Sequence, residues 1–181
     1  MTEQEIHDIC KKYGIQNYTI NPDGSIDVDD DVRLHNMGLT KLPLDFNIVH
    51  GHFYCYKNEL TSLKGSPKKV GGNFYCSYNI LTSLKGSPES VRGSFYCSYN
   101  KISSLKGCPK YIGESFYCSY NKLTSLKGGP EKVYDMFYCG GNPLESLDGY
   151  NGNYDMLDCD NKDGLILKEK RKEKLIQIHN L

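Results

Sequence analysis

The chain has 181 residues, and its 22 basic and 22 acidic side chains give a formal net charge of zero, which excludes a strong overall attraction to nucleic acid or anionic membranes. Its length fits a single domain, and its mean hydropathy of −0.56 without a long apolar run predicts no membrane span. The charged first residues lack the apolar core of a secretory signal, so we expect a cytoplasmic protein.

Residues 1–31 are predicted to form an N-terminal cap made of a helix and a hairpin. Residues 3–13 have apolar side chains at helical spacing, and these share one face: Ile6, Ile9, Cys10 and Tyr13. Residues 18–28 alternate apolar and polar side chains on both sides of a turn centred on Pro22 and Asp23, which is typical of a β-hairpin.

A unit of 21 residues repeats from residue 32 to residue 161 in about seven copies, and the end copies are degenerate. Each full copy has Phe-Tyr-Cys, then Asn, two spaced Leu residues and a Gly-x-Pro turn. A fixed period of this length is typical of a solenoid, in which each unit buries its apolar edge against its neighbours. The periodic asparagines are Asn58, Asn79, Asn100, Asn121 and Asn142.

This pattern resembles the leucine-rich repeat, with Phe and Cys in the first two Leu places. The short period and the phrase Leu-Thr-Ser-Leu are similar to repeats of bacterial and bacteriophage proteins. The resemblance covers residues 32–161 and implies a leucine-rich repeat solenoid. Such a fold has a parallel sheet of one short strand per repeat on its concave side, and an irregular convex side. The concave sheet is the usual binding face of such proteins.

The Phe-Tyr-Cys segment is predicted to be the strand. Alternation then points Phe and Cys into the core and Tyr outward. Asn stands at the turn that follows, where its amide can bond backbone groups left unpaired by the bend. The glycine that precedes each Pro by two residues supplies the backbone freedom that the return path needs.

Six of the eight cysteines follow the repeat and are interpreted as core residues. A straight row with a spacing of about 4.8 Å suits neither disulfides nor a tetrahedral zinc site.

His52 is expected outside the strand and Cys55 inside, so these two cannot share a metal. The acidic residues of segment 158–169 match a calcium loop only in part. We expect no cofactor and no metal.

Residues 162–181 are predicted to form a C-terminal helical cap with apolar residues at its two ends and a charged middle. The apolar residues near the end, Leu175, Ile176, Ile178 and Leu181, offer an alternative role. They could pack on a second copy of the chain, so a homo-oligomer and a structural, self-assembling function remain open.

The outward tyrosines of the predicted sheet are the candidate binding surface. Tyrosine and serine together are typical of adaptable binding surfaces, and an aromatic patch usually marks a contact site. Charged residues flank this surface, with basic residues at its N-terminal side and Asp135, Asp155, Asp158 and Asp160 at its C-terminal side. The predicted site comprises Arg33, His35, His52, Tyr54, Tyr56, Tyr75, Tyr78, Tyr96, Tyr99, Tyr117, Tyr120 and Tyr138.

Three functions are compatible with this surface. The favoured one is a non-enzymatic module that binds a protein partner, and the bacteriophage-like resemblance suggests a host protein in the host cytoplasm. The second is the self-assembly described above. The third is binding of single-stranded nucleic acid or glycan through the tyrosines, although a nucleic acid is disfavoured by the zero net charge. The tyrosines could also be mere sheet formers copied by duplication.

A column of lysines on the turn after the second Leu is a separate feature, with members Lys64, Lys85, Lys106 and Lys127. Phosphate or nucleic acid could bind there, but nearby Glu89 and Glu131 favour a solvated edge. No phosphate-binding glycine loop and no nucleophile motif occurs, so we do not expect an enzyme.

Overall fold

The computed structural model describes residues 1–152 and 156–179, with side chains described up to residue 170. The chain winds into a β-solenoid of about six turns, and each turn stacks on the one before it through parallel strand pairing. A helix precedes the solenoid and a second helix follows it, as predicted.

Helix α1 (Glu3–Tyr13) begins and ends with ordinary capping signals. The Thr2 side chain accepts a hydrogen bond from the Glu5 backbone N–H, and the Glu5 carboxylate accepts one from the Thr2 N–H. Gly14 closes the helix in the left-handed conformation, with φ of 65°. The helix buries Ile6 and Cys10, and the predicted bounds and face are therefore confirmed.

The predicted hairpin is also present. Strand β1 (Tyr18–Ile20) pairs antiparallel with β2 (Ile26–Val28), and β2 then pairs parallel with the first turn of the solenoid. The turn is stabilised by Asp23, whose carboxylate accepts bonds from the Ser25 N–H and hydroxyl. Hydrogen bonding to Ser25 lowers the pKa of Asp23. The hairpin thus covers one end of a sheet that would otherwise present an open edge.

The solenoid has two seven-stranded sheets. The tyrosine sheet contains the Phe-Tyr segments. In spatial order its strands are β14 (Leu157–Asp158), β13 (Phe137–Tyr138), β11 (Phe116–Tyr117), β9 (Phe95–Tyr96), β7 (Phe74–Tyr75), β5 (Phe53–Tyr54) and β3 (Val32–Arg33). The second sheet continues from the hairpin through β4 (Phe46–Val49), β6 (Lys69–Val70), β8 (Ser90–Val91), β10 (Tyr111–Ile112) and β12 (Lys132–Val133).

The prediction of one strand per repeat with an irregular opposite side was therefore wrong. The apolar residue that closes each unit, such as Val70 or Val91, is buried and the residue before it is not, so each pair forms a short strand of its own. The pairing is parallel and in register from turn to turn, for example Val70 with Val91. β-branched residues favour this conformation.

Aromatic rings and thiols fill the core between the two sheets. The Phe53, Phe74, Phe95 and Phe116 side chains have no exposed surface. The Phe53 and Phe74 rings stack with centroids 5.3 Å apart, and the Phe74 and Phe95 rings at 5.2 Å. The cysteines that follow the tyrosines are buried and free, which confirms the predicted inward orientation of both residue types.

A buried asparagine ladder joins the turns, as predicted. The Asn100 Nδ2 group donates to the Cys97 carbonyl of its own turn and to the Cys76 carbonyl of the preceding turn, both at 3.1 Å. Its Oδ1 accepts from the Leu81 N–H at 3.0 Å. The same pattern recurs at the other four periodic asparagines, with Asn58 bonding the degenerate first turn.

The glycine of each return turn is required by its conformation. Gly86 has φ of 91°, and a Cβ atom there would lie 2.9 Å from the Leu63 carbonyl group of the preceding turn. Only glycine adopts this backbone without strain and permits so close an approach. The segment that leads from one strand of the solenoid to the next turn therefore needs a glycine once in every 21 residues.

At the C-terminal end, β14 pairs with β13 one residue earlier than the repeat would place it. Helix α2 (Lys162–His179) follows, and Leu165 is buried against the last turn. The side chains of Leu175, Ile176, Ile178 and Leu181 lie outside the described part, so the self-assembly hypothesis stays a prediction. No helix among the described residues is long and apolar enough to cross a membrane.

Candidate functional site

The inner tyrosine column consists of Tyr54, Tyr75, Tyr96, Tyr117 and Tyr138, which lie half-buried along the middle of the tyrosine sheet. Adjacent rings are nearly parallel, and their centroids are 4.4 to 4.8 Å apart. This distance matches the spacing of neighbouring strands. In-register pairing, for example of Tyr96 with Tyr117, thus places each ring against the next.

The outer tyrosine column consists of Tyr78, Tyr99 and Tyr120, which lie at the turn after the strand. Their rings also stack, with centroids 4.5 Å apart, and their side chains are 42 to 54% exposed. All three adopt the left-handed backbone conformation, with φ between 55° and 57°. This region is unusual for a bulky residue. The sequence predicted the turn but not this conformation.

A row of serines separates the two columns. Ser77, Ser98 and Ser119 are half-buried and stand between the tyrosine columns on the same turns. At the first full turn Tyr56 takes the serine position, and its ring stacks on His35 with a centroid distance of 4.8 Å and an interplanar angle of 2°. The His35 Nδ1 atom is buried and has no hydrogen-bond partner among the described residues.

Basic and imidazole side chains stand at the N-terminal end of the inner column. The Arg33 guanidinium lies over the Tyr54 ring at 5.6 Å and bonds the Asp31 carboxylate at 2.8 Å. The His52 ring contacts Tyr54 and Tyr75, and its Nδ1 atom accepts a bond from the Asn73 N–H. The predicted position of Arg33, His35 and His52 beside the tyrosines is confirmed.

Carboxylates stand at the opposite end. Asp158 pairs in register with Tyr138, so it continues the inner column. Asp160 accepts a bond from the Gly141 N–H at 2.6 Å, and Asp135 accepts one from the Ser115 hydroxyl at 2.8 Å. Asp155 lies outside the described residues. The two ends of the tyrosine face therefore differ along the solenoid axis: a guanidinium paired with Asp31 and two imidazoles lie at one end, and carboxylates lie at the other.

Burial makes several phenols of this face harder to ionise. It raises the pKa of Tyr54, Tyr96 and Tyr138 above the ordinary value, and repulsion from neighbouring ionised tyrosines acts in the same direction. The pKa of Tyr99 is raised for the same two reasons. At neutral pH each hydroxyl can therefore both donate and accept a hydrogen bond.

Stacking limits what the tyrosine face can present to a ligand. Each interior ring of a column has its two faces against neighbouring rings, so the ring edges and hydroxyls are what remains for contact. A hydrogen-bonding surface of this kind suits the amide and carboxyl groups of a protein. It offers few free ring faces to nucleobases or sugar rings, which bind aromatic side chains by stacking.

The cysteine column offers no reactive group. Burial raises the pKa of Cys76 and Cys97 well above the ordinary thiol value. Cys108, which is only partly buried and lies outside the column, has its pKa raised to about 12 by the same cause. Among the described residues, no cluster of three His, Cys, Asp or Glu side chains could hold a metal ion.

We expect all eight thiols to resist modification in the native protein. A thiol with a pKa of about 12 is about 0.01% thiolate at pH 8, and the thiolate is the reactive form. Titration with a thiol-specific chromophore at pH 8 should show no rapid phase before guanidinium is added, and eight equivalents afterwards. A rapid native equivalent that Cys108→Ser does not remove would contradict the burial of this column.

Two exposed tyrosines were missed by the sequence analysis. Tyr111 and Tyr134 lie on the second sheet and its following turn, and they are 50% and 58% exposed. Neither recurs at the repeat period, so the repeat gave no signal for them. The periodic apolar residue that closes each unit was the available sequence indication of a second sheet, at Val70, Val91, Ile112 and Val133.

Comparison of this chain with protein-family profiles, with curated proteins and with solved structures finds no match. The geometry of the tyrosine face is therefore the basis on which a function can be proposed.

Proposed function

We propose that the protein is a non-enzymatic binding module that captures a protein partner on its tyrosine face. The observation that carries this proposal is the left-handed backbone of the outer tyrosine column. Three successive turns place a bulky ring where glycine or asparagine is favoured.

The end turns use the favoured residues at the same position. Asn36, Gly141 and Asn161 all have positive φ there, and Lys57 adopts the same conformation in the turn between Asn36 and Tyr78. A non-glycine residue in this conformation costs about 1–2 kcal/mol, and stacking of adjacent rings returns about 0.5–1.5 kcal/mol per pair. Stability alone therefore gives little reason for tyrosine. The preference of tyrosine for β-sheets does not explain its presence either, since these residues come after the strand.

The chemistry of the face supports a protein as the partner. The columns provide rigid aromatic edges, neutral hydroxyls and intervening serines, a combination that binds peptide groups with little loss of side-chain entropy. The two ends carry different polar groups, which would give the bound partner one orientation. Because the stacked rings hide their faces, a nucleic acid or glycan is a poorer candidate for this surface.

The resemblance to leucine-rich repeats supports the same choice of face, since their concave sheet is the usual binding side. The bacteriophage-like phrase Leu-Thr-Ser-Leu extends the proposal to a host protein met in the host cytoplasm.

The test replaces Tyr78, Tyr99 and Tyr120 by Asn, the residue of the end turns. We expect capture of the partner from cell lysate to be lost, because the exposed rings are removed. The melting temperature should change by no more than a few degrees, because relief of backbone strain offsets the lost stacking. Affinity capture with mass spectrometry, beside a thermal melt of each protein, measures both.

Two further variants sharpen the test. Phe in place of Tyr75, Tyr96 and Tyr117 keeps the rings and removes only the inner hydroxyls, whereas Ala at the same positions removes both. If hydroxyls bind the partner, both inner-column variants lose capture. The melting temperature of the Phe variant should fall by a few degrees at most, because few hydrogen bonds within the protein are lost, such as that from the Asn73 side chain to the Tyr75 hydroxyl. Identical recovery by the wild type, the Asn variant and the Phe variant would refute the proposal.

A further inference from the structure

The outer side of the second sheet contains a groove of about 480 Å³ that the tyrosine face does not share. Its floor is formed by Val70, Val91 and two glycines, Gly71 and Gly113. A Cβ atom at either glycine would overlap the backbone carbonyl oxygen of the preceding turn, at His50 or Arg92. Close packing against the preceding turn therefore requires glycine at both positions, and these two turns carry no side chain where the neighbouring turns carry large ones.

Large residues and glycines alternate along this groove. The position after the buried apolar residue reads His50, Gly71, Arg92, Gly113 and Tyr134 in successive turns. The gap above Gly71 therefore lies between an imidazole and a guanidinium. The gap above Gly113 lies between Arg92 and Tyr134. The two gaps are two turns apart, which is about 10 Å.

The gap at Gly71 is a cationic site. Lys69 and Arg92 line the groove together with His50, and no carboxylate is among its lining residues. Neither Lys69 nor Arg92 forms an ion pair with any described residue. The His50 Nε2 atom lies 3.7 Å from the Asp29 carboxylate, so we count only the lysine and the arginine as free positive charges. Such a pair suits a phosphate group.

The gap at Gly113 is an aromatic site. Tyr111 and Tyr134 line it, and neither stacks on another ring among the described residues, unlike the tyrosines of the two columns. The Tyr111 hydroxyl donates to the Glu131 carboxylate at 3.1 Å, and the Lys132 ammonium lies 4.1 Å from the Tyr134 ring centroid. Both rings are held in place, and the Tyr111 ring retains faces on which a planar ligand ring can stack.

We propose that this groove binds a nucleoside polyphosphate, with its phosphates between Lys69 and Arg92 and its base against Tyr111 and Tyr134. The volume is within the range of small-ligand sites. A chain of two or three phosphates separates the terminal anion from the base, as the spacing of the two gaps requires. The Ser90 hydroxyl, on the turn between the gaps, lines the groove where the sugar would lie.

The experiment is calorimetric titration of the full chain with ADP at low ionic strength, beside pyrophosphate and adenosine. The repeat itself supplies substitutions that the fold tolerates. Lys69→Ser and Tyr111→Ser each introduce the residue that Ser90 provides at the equivalent position, and Arg92→Gln removes the charge of an exposed side chain. Lys122→Ser, which lies outside both the groove and the lysine column, is the matched control for the loss of an exposed charge.

We expect ADP to bind more tightly than either pyrophosphate or adenosine. Lys69→Ser and Arg92→Gln should each weaken ADP and pyrophosphate binding about tenfold or more, the effect of a lost charge-assisted hydrogen bond. Tyr111→Ser should weaken ADP binding about tenfold through lost stacking and leave pyrophosphate binding unchanged. Lys122→Ser should bind ADP as the wild type does. Circular dichroism melts establish that each variant is folded.

Three results would overturn the proposal. Absence of ADP binding at millimolar concentration would show that the groove is not a nucleotide-binding site. Equal binding of ADP and pyrophosphate, with no effect of Tyr111→Ser, would show an anion site without base recognition. Tight binding of a single-stranded oligonucleotide by a protein that does not bind ADP would identify a polymer as the ligand.

Discussion

Asn100→Ala is expected to lower the free energy of unfolding by about 3 kcal/mol. The substitution leaves the buried Leu81 N–H without its acceptor, because the Asn100 Oδ1 atom is the one partner of that group among the described residues. The Cys76 and Cys97 carbonyls each lose one bond but keep another, from Asn79 and Asn121 respectively. The unpaired N–H therefore accounts for most of the loss.

Guanidinium denaturation followed by circular dichroism measures this change. Ser103→Ala is the control, since this exposed side chain, three residues further along the same turn, forms no side-chain hydrogen bond in the described structure. Its removal should change stability by less than about 0.5 kcal/mol. If Asn100→Ala costs no more than the control, the asparagine ladder does not hold the turns together.

Phe95→Ala is expected to cost about 4 kcal/mol, the usual effect of removing a fully buried aromatic ring. The Phe95 ring has no exposed surface and contacts the Phe74 ring at 5.2 Å and the Phe116 ring at 5.8 Å. Parallel pairing fixes the backbones of these turns, so they cannot move together to fill the void. The neighbouring turns should be destabilised with the mutated one, because each turn is supported only by its neighbours.

Phe95→Leu is the matched control for this substitution, since Leu157 occupies the same position in the last turn. It should cost about 1 kcal/mol because most of the volume is retained. Equal losses for Ala and Leu in chemical denaturation would contradict a close-packed phenylalanine column.

The period of the sequence was sufficient to predict the core and the orientation of the main strand. Alternation along Phe95, Tyr96 and Cys97 assigns two residues to the inside and one to the outside, and the structure agrees. The same holds for α1, whose capping residues Thr2 and Gly14 stand directly beside the predicted bounds. These features could be predicted because the residues that determine them, the alternating strand residues and the helix caps, lie next to one another in the sequence.

The second sheet was missed because each of its two-residue strands has a single inward apolar residue, such as Val70 or Val91, and one such residue shows no alternation; the Phe-Tyr-Cys segment has two. The conformation of Tyr99 was missed because residue type argues against it, since tyrosine rarely adopts positive φ. Ring stacking depends on side-chain orientation, which a sequence does not report. Tyr111 and Tyr134 each occur at a position filled by other residues in the other turns, so periodicity conceals them.

The direction of the hydrogen bonds between turns has a mechanical consequence. Because strands of successive turns lie side by side, bonds such as that from the Cys97 N–H to the Tyr117 carbonyl point along the solenoid axis. A force that pulls the two ends apart therefore loads the turns in series, and only the few bonds of one turn resist it at a time. Each released turn converts about 5 Å of folded length into roughly 70 Å of extended chain. Under tension the protein would lengthen in steps, as an extensible tether does.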